Sequence, residues 1–209
     1  MAKEYSEDLL IQKSTAELLE KELGWQSVYA YDSEVRGEQG TLGRKTQSEV
    51  VLTRHLRMAL KRLNTWMTDK QMTEAIERMT SYMSSQTLMQ INEEKYRYMR
   101  DGVPVTRLKP NGETEQVRAK VMDFANVDNN EFIVVRELWI KGPIHKRRAD
   151  VVCFVNGLPL VFIELKNHDQ DIQNAYTDNY RDYLDTIPHL FHHNAMIMLS
   201  NGMESRVGT

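Results

Sequence analysis

Ala149-Asp150-Val151-Val152-Cys153-Phe154-Val155-Asn156-Gly157-Leu158-Pro159-Leu160-Val161-Phe162-Ile163-Glu164-Leu165-Lys166 reads as two apolar runs joined by an Asn-Gly turn. Both runs are apolar on both faces, which predicts strands in the middle of a sheet covered by helices. Three charges interrupt them: Asp150, Glu164 and Lys166. An ionised group on a buried strand costs several kcal/mol unless it is paired or holds a metal. Three in one hairpin therefore need a chemical reason.

Strand geometry tests whether the three belong together. A three-residue loop, Asn156-Gly157-Leu158, pairs Val155 with Pro159 and sets Asp150 directly opposite Glu164, their Cβ atoms about 4.5–5.5 Å apart. Lys166, two residues on, then projects from the same face. A two-residue Asn-Gly turn instead pairs Asp150 with Ile163 and separates the carboxylates. The expectation is the three-residue loop or an equivalent bulge. Carboxylates that close repel each other unless a cation lies between them. Oxygen-only ligation suits Mg²⁺ or Mn²⁺, and a nearby lysine can position an attacking water or stabilise charge developing on phosphorus. The parts suggest metal-assisted phosphodiester hydrolysis. From the residues alone, a buried carboxylate–lysine ion pair is an equal alternative.

Composition bounds the rest. The chain has 209 residues, 41% hydrophobic and 27% charged, enough for one well-buried domain. A net charge of −3 confines any nucleic-acid site to a local patch. The single cysteine, Cys153, excludes an internal disulfide, fits a reducing compartment and sits where a buried small hydrophobe belongs. No apolar run approaches the roughly 18–20 residues that cross a bilayer, and the N-terminus lacks the order of a signal peptide. A cytoplasmic protein with no membrane partner is expected.

Along the chain, Glu7 to Leu23 reads as a helix with Leu9, Leu10, Leu18, Leu19 and Leu23 as its apolar surface and Gly24 as a left-handed cap. Trp25 to Tyr31 suits a short strand. Gly37 to Thr46 is a polar loop. Its glycines miss the phosphate-binding Gly-x-x-x-x-Gly-Lys-Ser/Thr pattern, because Arg44 separates Gly43 from Lys45. Gln47 to Leu63 predicts a helix whose Arg54, Arg57, Lys61 and Arg62 read as a solvated face. Thr68-x-x-Gln71 is a capping box ahead of core positions Met72, Ile76, Met79 and Met83, and another helix spans about Gln86 to Arg100. Period-two patterns then predict strands over Val103–Leu108, Glu115–Phe124, Phe132–Ile140, Asp150–Val155 and Leu160–Lys166, the first three as an antiparallel meander. Asp169 to Ile187 is helical. Ala195–Leu199 is a last strand, reached by a parallel crossover. The uncapped end at Gly208-Thr209 reads as a fragment of a larger chain. Residues 1–209 are expected to form one domain, 1–102 mainly helical and 103–209 the sheet with its hairpin. His189, His192 and His193 lack metal-ligand spacing and read as structural or surface residues.

Asp150 followed by Glu164-Leu165-Lys166 resembles the PD-(D/E)XK nuclease motif. Arg148-Ala149-Asp150-Val151-Val152, Val155-Asn156-Gly157-Leu158-Pro159-Leu160-Val161 and Ile163-Glu164-Leu165-Lys166-Asn167 resemble the N-terminal nuclease domain of the type I restriction enzyme R subunit. So do Pro188-x-Leu190-Phe191, Asn194 and Ser200-Asn201-Gly202. The likeness continues upstream through Glu17-Leu18-Leu19, Leu23-Gly24-Trp25, Asp123-Phe124 and Asn129-Asn130-Glu131-Phe132. It implies an α/β fold: a restriction-endonuclease-like α/β/α core with a mixed, largely antiparallel central sheet flanked by helices, preceded by a helical N-terminal segment.

By that resemblance Asp150 and Glu164, with the Leu165 carbonyl, hold Mg²⁺ or Mn²⁺ and Lys166 is the catalytic lysine. Asn179 and Tyr183 stand at the family's Gln-x-x-x-Tyr motif, with Asn one methylene shorter than Gln. Glu17 matches a first-helix glutamate. Lys141, His145, Lys146, Arg147 and Arg148, leading into Asp150, are candidate DNA contacts. The implied function is cleavage of double-stranded DNA in a complex with modification and specificity subunits, with ATP used by the full-length protein only. The alternatives are a catalytically silent nuclease fold used for docking, and a free-standing repair or resolvase-type nuclease.

Overall fold

The computed structural model describes the backbone of residues 7–209 and the side chains from residue 12 on. A six-stranded mixed sheet in the order β1-β4-β5-β6-β7-β8 carries the site. Its strands are β1 (Gln26–Tyr29), β4 (Phe132–Lys141), β5 (Lys146–Val155), β6 (Leu158–Leu165), β7 (Met196–Ser200) and β8 (Ser205–Gly208). β1 pairs with β4 and β6 with β7 in parallel, and the other three pairings are antiparallel. The hairpin strands β5 and β6 are central, as their apolar faces require.

One face of the sheet is covered by α1 (Glu7–Leu23), whose Ala16 and Leu19 pack on Val134, Val151, Cys153, Ile163 and Leu165. The other face takes a helical run of α5 (Ile172–Asn174), a π-helical stretch (Ala175–Tyr180) and α6 (Arg181–Thr186). Ile172, Ala175, Tyr183 and Ile187 there meet Val135, Val152, Phe154 and Phe162. Helices on both faces make the expected α/β/α layering. Gly24, at φ 69°, closes α1 as a left-handed cap, with its N–H on Glu20 O and Trp25 N–H on Leu19 O. Leu18 and Leu23, expected in the apolar surface of α1, are exposed, and the side chains of Leu9 and Leu10 lie outside the described residues.

The meander does not form. β2 (Val103–Leu108) pairs with β3 (Thr114–Ala119) in a separate two-stranded sheet. Val103, Val105 and Ala119 pack with Met72, Ile76, Met79 and Met99 into a second core around α2 (Thr53–Leu63), α3 (Asp69–Thr80) and α4 (Leu88–Asp101). Period-two alternation marks a strand but not its sheet. β3 also ends at Ala119 rather than Phe124, which is exposed.

The expected capping box Thr68–Gln71 is present on α3, and α4 carries a second, unexpected one, Thr87–Gln90. α3 stops at Thr80, so Met83 is exposed rather than core. α2 begins at Thr53 rather than Gln47, because the preceding backbone is used elsewhere. Gln47 O accepts Lys141 N–H, and Leu52 N–H donates to Gly157 O. Arg54 and Arg62 on α2 are tied to loop carbonyls, including those of Gly40 and Asn129, rather than solvated. β8 is an edge strand with every residue exposed, so no burial pattern announced it.

Candidate active site

The hairpin turn is two residues, Asn156 and Gly157, at φ 51° and 81°. Left-handed φ at both positions is the type I′ signature of Asn-Gly. Val155 pairs with Leu158 and Phe154 with Pro159, after which the register shifts so that Cys153 meets Val161 and Val151 meets Ile163. Leu160 is the inserted residue. The three-residue loop is therefore replaced by its equivalent, a tight turn plus a one-residue bulge. Carried one step past Val151–Ile163, this register sets Asp150 opposite Glu164. Glycine is required in the turn: a Cβ on Gly157 would lie 2.4 Å from Leu52 O.

Asp150 Oδ2 accepts the Leu165 N–H at 2.8 Å, and its Oδ1 accepts Gln12 Nε2 at 3.2 Å from α1. Glu164 is 1% exposed. Its Oε1 accepts the Asn179 side-chain amide and lies 3.7 Å from Lys166 Nζ, while Oε2 has no hydrogen-bond partner among the described residues. Lys166 Nζ donates to Asn179 Oδ1 at 2.8 Å, and its backbone N–H is fixed on Ser200 O of β7. Asn179 thus bridges the carboxylate and the lysine, so the shorter amide reaches both. It does so from the π-helical stretch, a geometry frequent at functional sites.

The electrostatics follow from burial. Burial, and then the Glu137 charge, push Asp150 up to about 6 against the opposing Leu165 N–H, Lys166 and Arg148. Burial and the Asp150 charge raise Glu164 well above the usual carboxylate range, opposed by Lys166 and Asn179. Two buried acids, one raised further by the charge of the other, form a pair short of positive charge.

Tyr183 is buried against Phe162, ring centroids 5.6 Å apart, and its hydroxyl donates to Arg148 O at 2.8 Å. It braces β5 two residues before Asp150. Glu17 is not brought to the pair: it lies on the outer side of α1 between Lys13 and Lys21, each 3.6 Å away. Gln12 occupies the place facing Asp150. Five residues on a helix rotate by about 140° at 3.6 residues per turn, so Gln12 and Glu17 cannot both face Asp150. Sequence reasoning also missed Glu137, 1% exposed in β4 and at φ 58°. A lone acid in the apolar run Phe132–Ile140 was the available signal for it.

The basic stretch divides. Arg147 is ion-paired with Asp182 on α6, its Nη2 2.9 Å from Oδ1, and so is tied back to the protein surface. Lys146 Nζ lies 4.1 Å over the Trp139 ring and Arg148 lies 5.1 Å over Tyr31. Tyr29, Tyr31 and Trp139 stack successively at 6.2 and 6.3 Å, making a ladder of rings and cations that leads toward Asp150. Lys141 is exposed at the end of β4. His192 and His193 are structural, as expected: burial pushes them down to about 4 and about 3, and His193 Nε2 bonds Met79 O at 2.9 Å. Among the described residues no helix is long and apolar enough to cross a membrane.

The chain is 32% identical over 203 residues to the type I restriction enzyme HindI endonuclease subunit of Haemophilus influenzae, covering 95% of this chain and 19% of that protein. It is 32% identical over 113 residues to the type I restriction enzyme SauMSSORF170P endonuclease subunit of Staphylococcus aureus, covering 54% of this chain and 12% of the other. The chain therefore spans a fifth or less of these relatives' length. Residues 4–209 match the family described as type I restriction enzyme R protein N terminus, and the chain belongs to that family.

Proposed function

We propose that this chain is the DNA-cutting part of a type I restriction endonuclease subunit, hydrolysing phosphodiester bonds of double-stranded DNA with Mg²⁺ or Mn²⁺. The observation that carries this is the buried Asp150–Glu164 pair with Lys166 held beside it through Asn179. The donor set fits a hard divalent cation: it is all oxygen, and the buried Glu164 Oε2 lacks a hydrogen-bond partner. Asp150, Glu164 and the Leu165 carbonyl would hold the cation, which when bound would supply Lewis-acid stabilisation of phosphate charge.

The chain's own groups do the rest. The Leu165 N–H and Gln12 orient the Asp150 carboxylate, and Asn179 fixes the Glu164 rotamer. Lys166 brings an ammonium to the pair, where it would meet a scissile phosphate and a water. Lys146, Arg148 and Lys141 would hold backbone phosphate without reading sequence. Cutting would follow ATP-driven translocation by the full-length protein, assembled in the cytoplasm with modification and specificity subunits.

The test is Mg²⁺-dependent cleavage of plasmid DNA by the assembled complex carrying Asp150→Ala, Glu164→Ala or Lys166→Ala. Each is expected to abolish cutting while leaving ATP hydrolysis intact. Unchanged cleavage in all three would leave a docking role as the better reading.

A further inference from the structure

Tyr29, Tyr31 and Trp139 belong to none of the three buried cores, so core packing does not account for the row they form. Tyr31 is 43% exposed, and Tyr29 and Trp139 are half-buried. Their rings are shingled at interplanar angles of 29° and 30°, and Trp139 Nε1 donates to Tyr31 O at 3.2 Å. Three cations overlie them. Arg136 is 5.1 Å from the Tyr29 ring, Arg148 is 5.1 Å from Tyr31 and 5.7 Å from Trp139, and Lys146 is 4.1 Å from Trp139.

The row is placed beside the carboxylate pair. The β4–β5 register sets Arg136 opposite Val151 and Trp139 opposite Arg148, so these two positions bracket Asp150 along β5. Burial, then Glu137 and Asp32, raise the Tyr29 hydroxyl, which makes these two acids the negative charges nearest that end of the row. Glu137 meets Arg148 Nε at 2.7 Å, yet the Arg148 side chain stays 40% exposed. Lys146 is exposed as well. The row thus offers ring faces and cations in alternation. Duplex DNA turns its bases inward and presents phosphate and sugar, for which cations alone suffice. An unpaired strand alternates phosphates with free base faces, and exposed rings set among cations are what such a strand stacks on.

We propose that this row binds a single-stranded stretch of DNA: unpaired bases stack on Tyr31 and Trp139, while Arg136, Arg148 and Lys146 take the intervening phosphates. The cations that now cap the rings swing onto phosphate as bases replace them. The inference deepens the nuclease reading and rests on it, since the strand so held is the one led to Asp150. Stacking is indifferent to sequence because every base has a π-face, in keeping with phosphate contacts that read none.

Fluorescence anisotropy of the chain without divalent cations tests this apart from cleavage. The probes are a labelled oligothymidine of about 12 nucleotides and a duplex of the same length. Wild type is expected to hold the single strand about tenfold tighter than the duplex. Tyr31→Leu and Trp139→Leu should each weaken the single strand about tenfold and leave the duplex within about twofold. Trp66→Leu, outside the row, should change neither. A second measurement needs no change to the row. Trp25→Phe with Trp66→Phe leaves Trp139 as the one tryptophan, and its emission should be quenched by the single strand but not by the duplex. Equal affinity for the two probes, ring variants that match wild type, or unquenched Trp139 emission would each overturn the inference. The nuclease reading would survive all three, because it fails only if plasmid cleavage persists in Asp150→Ala, Glu164→Ala and Lys166→Ala.

Discussion

Replacing Asn156 should nearly unfold the protein, although it touches no reacting group. Asn156 is fully buried at the hairpin turn. Its Oδ1 accepts Glu131 N–H at 2.9 Å and Arg62 Nη2 at 3.0 Å. Its Nδ2 donates to Val121 O at 2.9 Å and Asn130 Oδ1 at 2.8 Å. Four side-chain hydrogen bonds at a net ~1 kcal/mol each amount to about 4 kcal/mol. Forcing alanine into the left-handed conformation adds about 1 kcal/mol. Asn156→Ala should therefore lose about 5 kcal/mol, a large part of the ~5–15 kcal/mol that holds a domain together. Asn156→Gly relieves the backbone term and should recover about 1 kcal/mol relative to alanine. Urea unfolding followed by circular dichroism measures both. A loss below about 1 kcal/mol for Asn156→Ala would refute the view that this side chain ties the turn to α2 and to the loop before β4.

Two further outcomes are expected. His193 is buried neutral with its pKa pushed down to about 3, so between pH 6.5 and 4 the unfolded chain binds a proton that the folded chain refuses. Stability falls with falling pH across that window by about 1.4 kcal/mol per unit for this group. The stability gap between wild type and His193→Gln should change by about that slope between pH 6.5 and 4.5 in chemical denaturation, and parallel curves would contradict it. Lys146→Ala should weaken DNA binding uniformly across sequences and lower the salt-dependence slope by about 1 in fluorescence anisotropy. Arg147→Ala, whose charge is already paired with Asp182, should leave that slope unchanged.

The hairpin and the layers were legible in the sequence because apolar runs, an Asn-Gly turn and helical periods are local signals. Asp150 and Glu164 could be placed opposite each other because strand pairing reduces to counting residues. The length of the loop could not be read, since a bulge at Leu160 and a longer turn give the same downstream register. Sheet membership was illegible for β2 and β3, whose alternation suits either core. Glu17 stood for the first-helix contributor until side-chain direction put Gln12 against Asp150. Glu137 escaped notice because its relation to Asp150 crosses two strands and appears only once β4 and β5 are aligned.

The bulge at Leu160 makes the hairpin behave like a vernier, in which the distance from turn to carboxylate is set by a tally of residues rather than by their identity. Straightening the bulge, so that Leu160 pairs with Cys153, would slide every downstream position of β6 by one and bring Ile163 to the place of Glu164. Drawing Leu158 into the turn at the same time would restore the count, pairing Val155 with Pro159. Loop length and bulge are thus a single inherited quantity. A chain with a three-residue turn and an unbroken β6 would present the same pair of carboxylates, whereas one that changed either feature alone would keep the fold and lose the alignment.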